Sequence, residues 1–228
     1  MTPARRRTRA EERERQSFYR YGVVLLCLTA VFTFSMVAPA VAWARLATAL
    51  LQGGAVLAAL SRAGAHRLLL ATALAAIAVT LATAAAATMS ARAIGGVADL
   101  ASACLLVLVP VAIVLEFRRN LEITVQSVVA ALCVYLVLGM FFASIASAVA
   151  AIGGQPYFAG HATANSAEYT YFSFITLATV GYGDLTARTN LGHTLSVSEA
   201  LIGQIYLVTI VSLIVANLGR SRPASGTG

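Results

Sequence analysis

Charge is scarce in this sequence. Only 11% of its 228 residues are charged, 59% are hydrophobic, and the mean hydropathy is +0.82. A soluble domain carries about a quarter charged residues, so this shortage excludes one and points to a membrane. Lysine is absent, and all 16 basic residues are arginine. The net charge of +7 does not imply nucleic acid as a partner, because these arginines are not interleaved with aromatics on a polar surface. Reactive clusters are missing too. Cys27, Cys104 and Cys133 lie far apart inside apolar runs, which excludes a disulfide framework and a cysteine metal site and leaves them as core or lipid-facing residues. No nucleophile with its base, no metal-ligand cluster and no phosphate-cradling loop stands in the chain, so the reading is not an enzyme and takes no cofactor. Abundant Ala and Arg with no Lys suggest a GC-rich bacterial genome.

What is present is a series of apolar runs. Six are marked: Tyr21 to Trp43, Leu46 to Leu60, Arg67 to Met89, Ala93 to Phe117, Glu122 to Ala151 and Asn190 to Leu218. The second is the weakest, shorter than the roughly 20 residues a crossing needs and interrupted by Gly53-Gly54, which leaves a re-entrant or tilted segment open. The first, behind Arg5-Arg6-Arg7 and ending near Ala38-Pro39-Ala40, resembles a secretory signal, but it exceeds the roughly 7–15 residues of that apolar region and is expected to stay. Cytoplasmic loops carry the excess of arginine. Six spans with both termini cytoplasmic place seven arginines before Tyr21, then Arg62, Arg67, Arg118, Arg119, Arg220 and Arg222, on that side. Arg45, Arg92 and Arg188 fall outside; two or four spans is the alternative.

Between the last two runs, Glu168 to Ala178 is apolar but too short to cross, as a re-entrant pore helix would be. Asn165 or Ser166 is placed to cap it, Glu168 suits its first turn, and Gly181 and Gly183 stop it. Ile152 to Ala164, with Gly153, Gly154, Pro156 and Gly160, reads as an extracellular turret.

The stretch Thr176-Leu177-Ala178-Thr179-Val180-Gly181-Tyr182-Gly183-Asp184 resembles the filter signature of the tetrameric potassium channel superfamily. Six specified residues at average usage recur by chance in about one such chain in a hundred thousand. Close resemblance covers the last two runs and their loop. It implies an all-α membrane protein with six transmembrane helices and a re-entrant pore helix and selectivity filter between the fifth and sixth. The expected divisions are a cytoplasmic tail 1–20, a four-helix domain 21–117, and a pore domain 118–219. Within the pore domain fall an outer helix 122–151, pore helix 167–178, filter 179–183 and inner helix 190–218, followed by a tail 220–228.

The resemblance carries over the family's established mechanism. Carbonyls of Thr179, Val180, Gly181, Tyr182 and Gly183, with the Thr179 hydroxyl, replace the hydration shell of a permeant potassium ion. Aligning successive carbonyls on one side of an extended chain needs alternating backbone angles, which glycine supplies. One filter segment per chain cannot surround an ion, so closure needs cyclic symmetry, and the family implies a homotetramer. Asp184 is expected to accept a hydrogen bond from an aromatic at Tyr171, with Phe172 beside it as filter support; the family often has Trp at these two positions, and Ala178 stands where Thr is frequent.

Gly203, twenty positions after Gly183, is a candidate hinge or a packing glycine, and Leu207, Val211 and Val215 follow at four-residue spacing as a candidate gate lining. Glu199 inside the last run is expected either to modulate gating behind the filter or to make a structural hydrogen bond to the pore helix; Asp99 has no evident partner. His161 and His193 are expected to be solvated bystanders. The fourth run holds no arginine ladder, so gating is not driven by a conventional voltage sensor. With ten residues after Leu218, no cytoplasmic ligand-binding domain is expected there. The N-terminal arginines are candidates for contact with anionic lipid headgroups. With no lipidation motif, the expected location is the plasma (inner) membrane of a bacterium. A non-conducting regulatory subunit is the alternative function, and a transporter is a third, disfavoured by the lack of paired broken helices.

Overall fold

A computed structural model describes residues 22–38, 42–62, 74, 77–78, 92–117 and 125–218. The arginine-rich segment 1–20, nearly all of the expected span Arg67 to Met89, the Arg118-Arg119 pair and the tail 219–228 lie outside the described residues. The described helices are α1 (Gly22–Val37), α2 (Ala42–Arg62), α3 (Arg92–Phe117), α4 (Val125–Gly153), α5 (Ser166–Leu177) and α6 (Asn190–Leu218). Among the described residues there is no strand, and the β pairing present is an isolated antiparallel bridge between Phe158 and Ala187. The chain is all-α. By length and composition, Ile94–Val111 within α3 and Ser127–Gly153 within α4 can cross a membrane, while Gly22–Val37 and Leu46–Leu60 are shorter apolar stretches.

The second segment, marked in the sequence as Leu46 to Leu60, is a helix of 21 residues. Its hydrogen-bonded ladder runs past the apolar stretch into Ala42–Arg45 and Ser61–Arg62, because helix propensity does not stop where hydropathy does. Gly53-Gly54 leaves it unbroken, and the Cβ that Gly53 lacks would meet the Ile77 side chain at 3.1 Å. Helix α3 continues through Pro110, which removes the donor for the Leu106 carbonyl.

Core positions follow helical spacing. Val24, Leu28 and Val31 of α1, Leu105, Val109 and Ile113 of α3, and Cys133, Val137 and Met140 of α4 recur at three- and four-residue intervals and are all buried in one cluster, with Val56 and Leu60 of α2. In lipid the tails are as apolar as leucine, so what holds these helices is close packing. A buried leucine makes some 40–60 contacts of about 0.1–0.2 kcal/mol each. Helix α4 is central: it packs on α3 on one side and on α5 and α6 on the other.

A second cluster lies under the segment between α4 and α5. Tyr157 and Phe158 are buried there against Tyr169 and Phe172, with ring centroids 5.1–6.0 Å apart. The stretch read as a glycine- and proline-rich turret is therefore a packed strap. Ala159 N–H donates to the Thr186 carbonyl at 2.9 Å and Arg188 N–H to the Tyr157 carbonyl at 2.8 Å, which ties the strap to the chain just after the signature motif.

Candidate functional site

Helix α5 is positioned by a complete capping box. Glu168 N–H donates to the Asn165 side-chain oxygen at 2.9 Å, and Asn165 N–H donates to the Glu168 carboxylate at 2.7 Å. Of the two residues open for the cap, Asn165 is the one used, and the helix runs 166–177 where 167–178 was expected.

The helix ends in a Schellman closure around left-handed Thr179. Ala178 N–H reaches the Phe174 carbonyl at 3.0 Å, Thr179 N–H the Thr176 carbonyl at 2.9 Å, and Val180 N–H the Ile175 carbonyl at 2.8 Å. The chain then leaves as an irregular segment whose φ angles are +56° at Thr179, +53° at Gly181 and +80° at Gly183. Val180 and Tyr182 are not left-handed, so handedness alternates residue by residue across the five positions. Two of the three left-handed positions carry glycine, for which that conformation is free of Cβ strain. Thr179 is the exception, a β-branched residue at positive φ held there by the bonds around it. Val180 is 50% and Tyr182 72% exposed, so in a single chain this segment is uncovered.

Behind it, the Tyr171 hydroxyl donates to the Asp184 carboxylate at 2.8 Å. This acceptor, more than any burial, raises the Tyr171 phenol above the ordinary tyrosine value, so it remains a donor at neutral pH. Phe172 does not share the position; adjacent helical residues point about 100° apart, and Phe172 is turned into the strap against Phe158. Tyr171→Phe keeps the ring and removes only the hydrogen bond. We expect global thermal stability to be nearly unchanged and hydrogen exchange at the amides of residues 179–183 to speed several-fold; exchange equal to the parent would show that the bond does not support the segment.

Glu199 of α6 is 3% exposed and touches Ser173 of α5, whose hydroxyl also reaches the Gly139 carbonyl of α4 at 2.6 Å. One hydroxyl has one proton, so the chain of contacts is complete when the carboxyl supplies a second. The contact binds three helices behind the segment, as the structural reading of Glu199 expected. Gly139 also leaves room for Phe174: a Cβ there would stand 2.6 Å from that ring, which passes α4 and packs edgewise on Phe32 of α1 with centroids 4.7 Å apart.

Gly203 is buried where α6 crosses the end of α5. A Cβ there would collide with the Leu177 carbonyl oxygen and stand 2.8 Å from Leu177 Cδ1, and α6 passes through it as unbroken helix. Leu207 is exposed, as are Leu201, Ile202, Ile205 and Val208. The side chains of Val211 and Val215 lie outside the described ones. Tyr206, not singled out in the sequence, donates to the Ala131 carbonyl of α4 at 2.7 Å and stacks on Tyr135. His161 is exposed, whereas His193 Nε2 lies 2.8 Å from the Ala187 carbonyl.

Residues 130–220, from within α4 to just beyond α6, match a family model described as ion channel. The match indicates an ion channel. It covers the short capped helix, the alternating segment and both flanking helices of this channel, and leaves α1 to α3 unmatched. No curated protein and no solved structure matches the chain. Channel function implies passive conduction and no catalysis, and with its apolar helices it implies a membrane location.

Proposed function

We propose that the chain is one subunit of a homotetrameric potassium channel of the bacterial plasma membrane. In this reading α5 is a re-entrant pore helix, residues 179–183 are the filter, α4 and α6 are the outer and inner helices, and both termini are cytoplasmic. The observation that carries it is the alternation of φ along Thr179 to Gly183, because only such alternation turns successive carbonyls to one side of an extended chain. Four copies around an axis would stack these carbonyls into rings that replace a potassium ion's water and release it again. Tyr171–Asp184 braces the filter from behind, Glu199 and Ser173 fix the pore helix to the inner helix, and the exposed apolar residues of α6 would meet neighbouring subunits and lipid.

Gly203 belongs to the packing of filter support rather than to a bend, and Leu207, with Val211 and Val215, lines the inner mouth as an apolar constriction able to close by dewetting. The N-terminal arginines contact anionic headgroups. The six-span topology places the N-terminal ends of α2 and α3 and the C-terminal ends of α1 and α4 on the outer side with the strap. Purified protein in liposomes is expected to release potassium and to retain sodium under the same gradient. Equal release of both ions, or of neither from assembled tetramers, would contradict the proposal.

A further inference from the structure

Two neighbouring residues of α5 grip α4 at one point. The Ser173 hydroxyl lies 2.6 Å from the Gly139 carbonyl, and the Phe174 ring passes the bare Cα of Gly139, where a Cβ would stand 2.6, 2.7 and 2.9 Å from three ring carbons. Any side chain at that position closes the passage. Beyond it the ring meets Phe32 of α1 edge to face, with centroids 4.7 Å apart and planes at 61°, at the close end of the separations aromatic pairs favour. Both rings pack on the buried cluster shared by α1 to α4. The backbone of Phe174 in turn belongs to the closure that launches residues 179–183. Its carbonyl accepts from Ala178 N–H at 3.0 Å, and the next carbonyl, of Ile175, accepts from Val180 N–H at 2.8 Å and Gly181 N–H at 3.3 Å. One ring contact therefore links α1 to the backbone of that segment, although α1 lies outside the residues 130–220 that match the channel family.

We propose that Phe32 of α1 is a positioning residue for the filter, acting through Phe174 across the gap that Gly139 leaves in α4. The inference rests on residues 179–183 being the filter. Helix α5 has 12 residues, is capped at its start, and leads directly into that segment at its other end. The Phe174 ring, held between Gly139 and Phe32, fixes the rotation of its last turn. A turn of the helix there moves the Ile175 carbonyl, and with it the two amides that carbonyl holds, so the filter carbonyls on either side change direction. Filter oxygens discriminate between ions by their number and field, which such a change alters. Dispersion contacts fall away within an ångström of added gap, so truncating Phe32 removes one wall of the clamp rather than loosening it slightly. In this account α1 does more than flank the channel module: it completes the module's filter support.

The test is hydrogen exchange at the Val180 and Gly181 amides of the purified full-length protein in nanodiscs, read beside its global thermal stability. Phe32→Ala should speed exchange at both amides at least tenfold. Phe32→Leu, which keeps most of the apolar volume, should speed it about threefold, and it carries the test if the alanine variant fails to assemble. Val24→Ala truncates a buried residue of the same helix about two turns away, and should lower stability while leaving exchange at these amides within about twofold of the parent. In a Phe174→Leu background Phe32→Ala should add little, because its partner ring is already gone. Unchanged exchange in the Phe32 variants, equal acceleration by Val24→Ala, or full additivity with Phe174→Leu would overturn the assignment and leave Phe32 as a packing residue only. The readout does not depend on which ion passes. A parent that conducts sodium as well as potassium would contradict the proposed selectivity and leave this test standing, whereas unmoved amides in a potassium-selective parent would sink the positioning role alone.

Discussion

Gly181→Ala should abolish potassium flux while leaving the protein assembled. The position has φ +53°, and no atom lies within 4 Å of where a Cβ would stand, so within one chain the obstacle is conformational and not a clash. An alanine held left-handed costs about 1–2 kcal/mol. A ring of four such residues accumulates about 4–8 kcal/mol, comparable with the whole stability margin of a domain. The segment would relax to right-handed φ, turning at least one carbonyl of each ring away from the axis. Flux should fall at least a hundredfold, and size-exclusion chromatography should still show the tetramer. Flux within a few-fold of the parent would mean that the alternation is not what conducts. Alanine at an exposed position of ordinary φ away from the pore region, such as Leu26 of α1, serves as the control and should change little.

Substitution of Gly203 separates its two roles. The missing Cβ is replaced by the Leu177 carbonyl and side chain, so α6 and the end of α5 are in direct contact. Gly203→Ala must push them apart, at an expected cost of about 1–3 kcal/mol per subunit, and Gly203→Val must do so by more. The account predicts a stepwise fall in thermal stability of the assembled protein from Gly to Ala to Val, together with loss of ion selectivity as the end of the pore helix shifts. A hinge would behave differently: alanine would leave stability and selectivity intact and change only the fraction of time spent open. Thermal unfolding and selectivity measured on the same three preparations decide between them.

The parts of this molecule that were legible in the sequence are those in which residue type dictates local backbone. Asn165 and Glu168 announce a helix start because their short polar side chains can satisfy its free N–H groups, and both do. Gly181 and Gly183 announce left-handed backbone for an equally local reason. What was illegible depends on distant partners. A bond from Glu199 to the short capped helix was one of the two readings of the sequence, but that Ser173, 26 positions away, makes it was not legible, nor was the pairing of Asp99 with Ser147 from 48, because no spacing rule joins such pairs. Gly203 was ambiguous because a hinge and a tight crossing both ask for the same residue. The strap misled for another reason: Gly154, Pro156 and Gly160 describe its backbone correctly, while Ile152 and Gly153 still belong to α4, but these residues hide that Tyr157 and Phe158 among them are core. An aromatic pair inside a loop of this kind was the available signal. Phe172 was paired with Tyr171 through the family resemblance, and in this chain its ring packs on Phe158 of the strap.

The central claim is that the alternating segment selects potassium. Its most direct test is the reversal potential of the purified protein in a planar bilayer with potassium on one side and sodium at equal concentration on the other. The account predicts a large potential of the sign that potassium permeation alone produces, lost when Gly181 is replaced. A reversal potential near zero with substantial current would contradict it, leaving an ion channel whose filter does not distinguish the two ions.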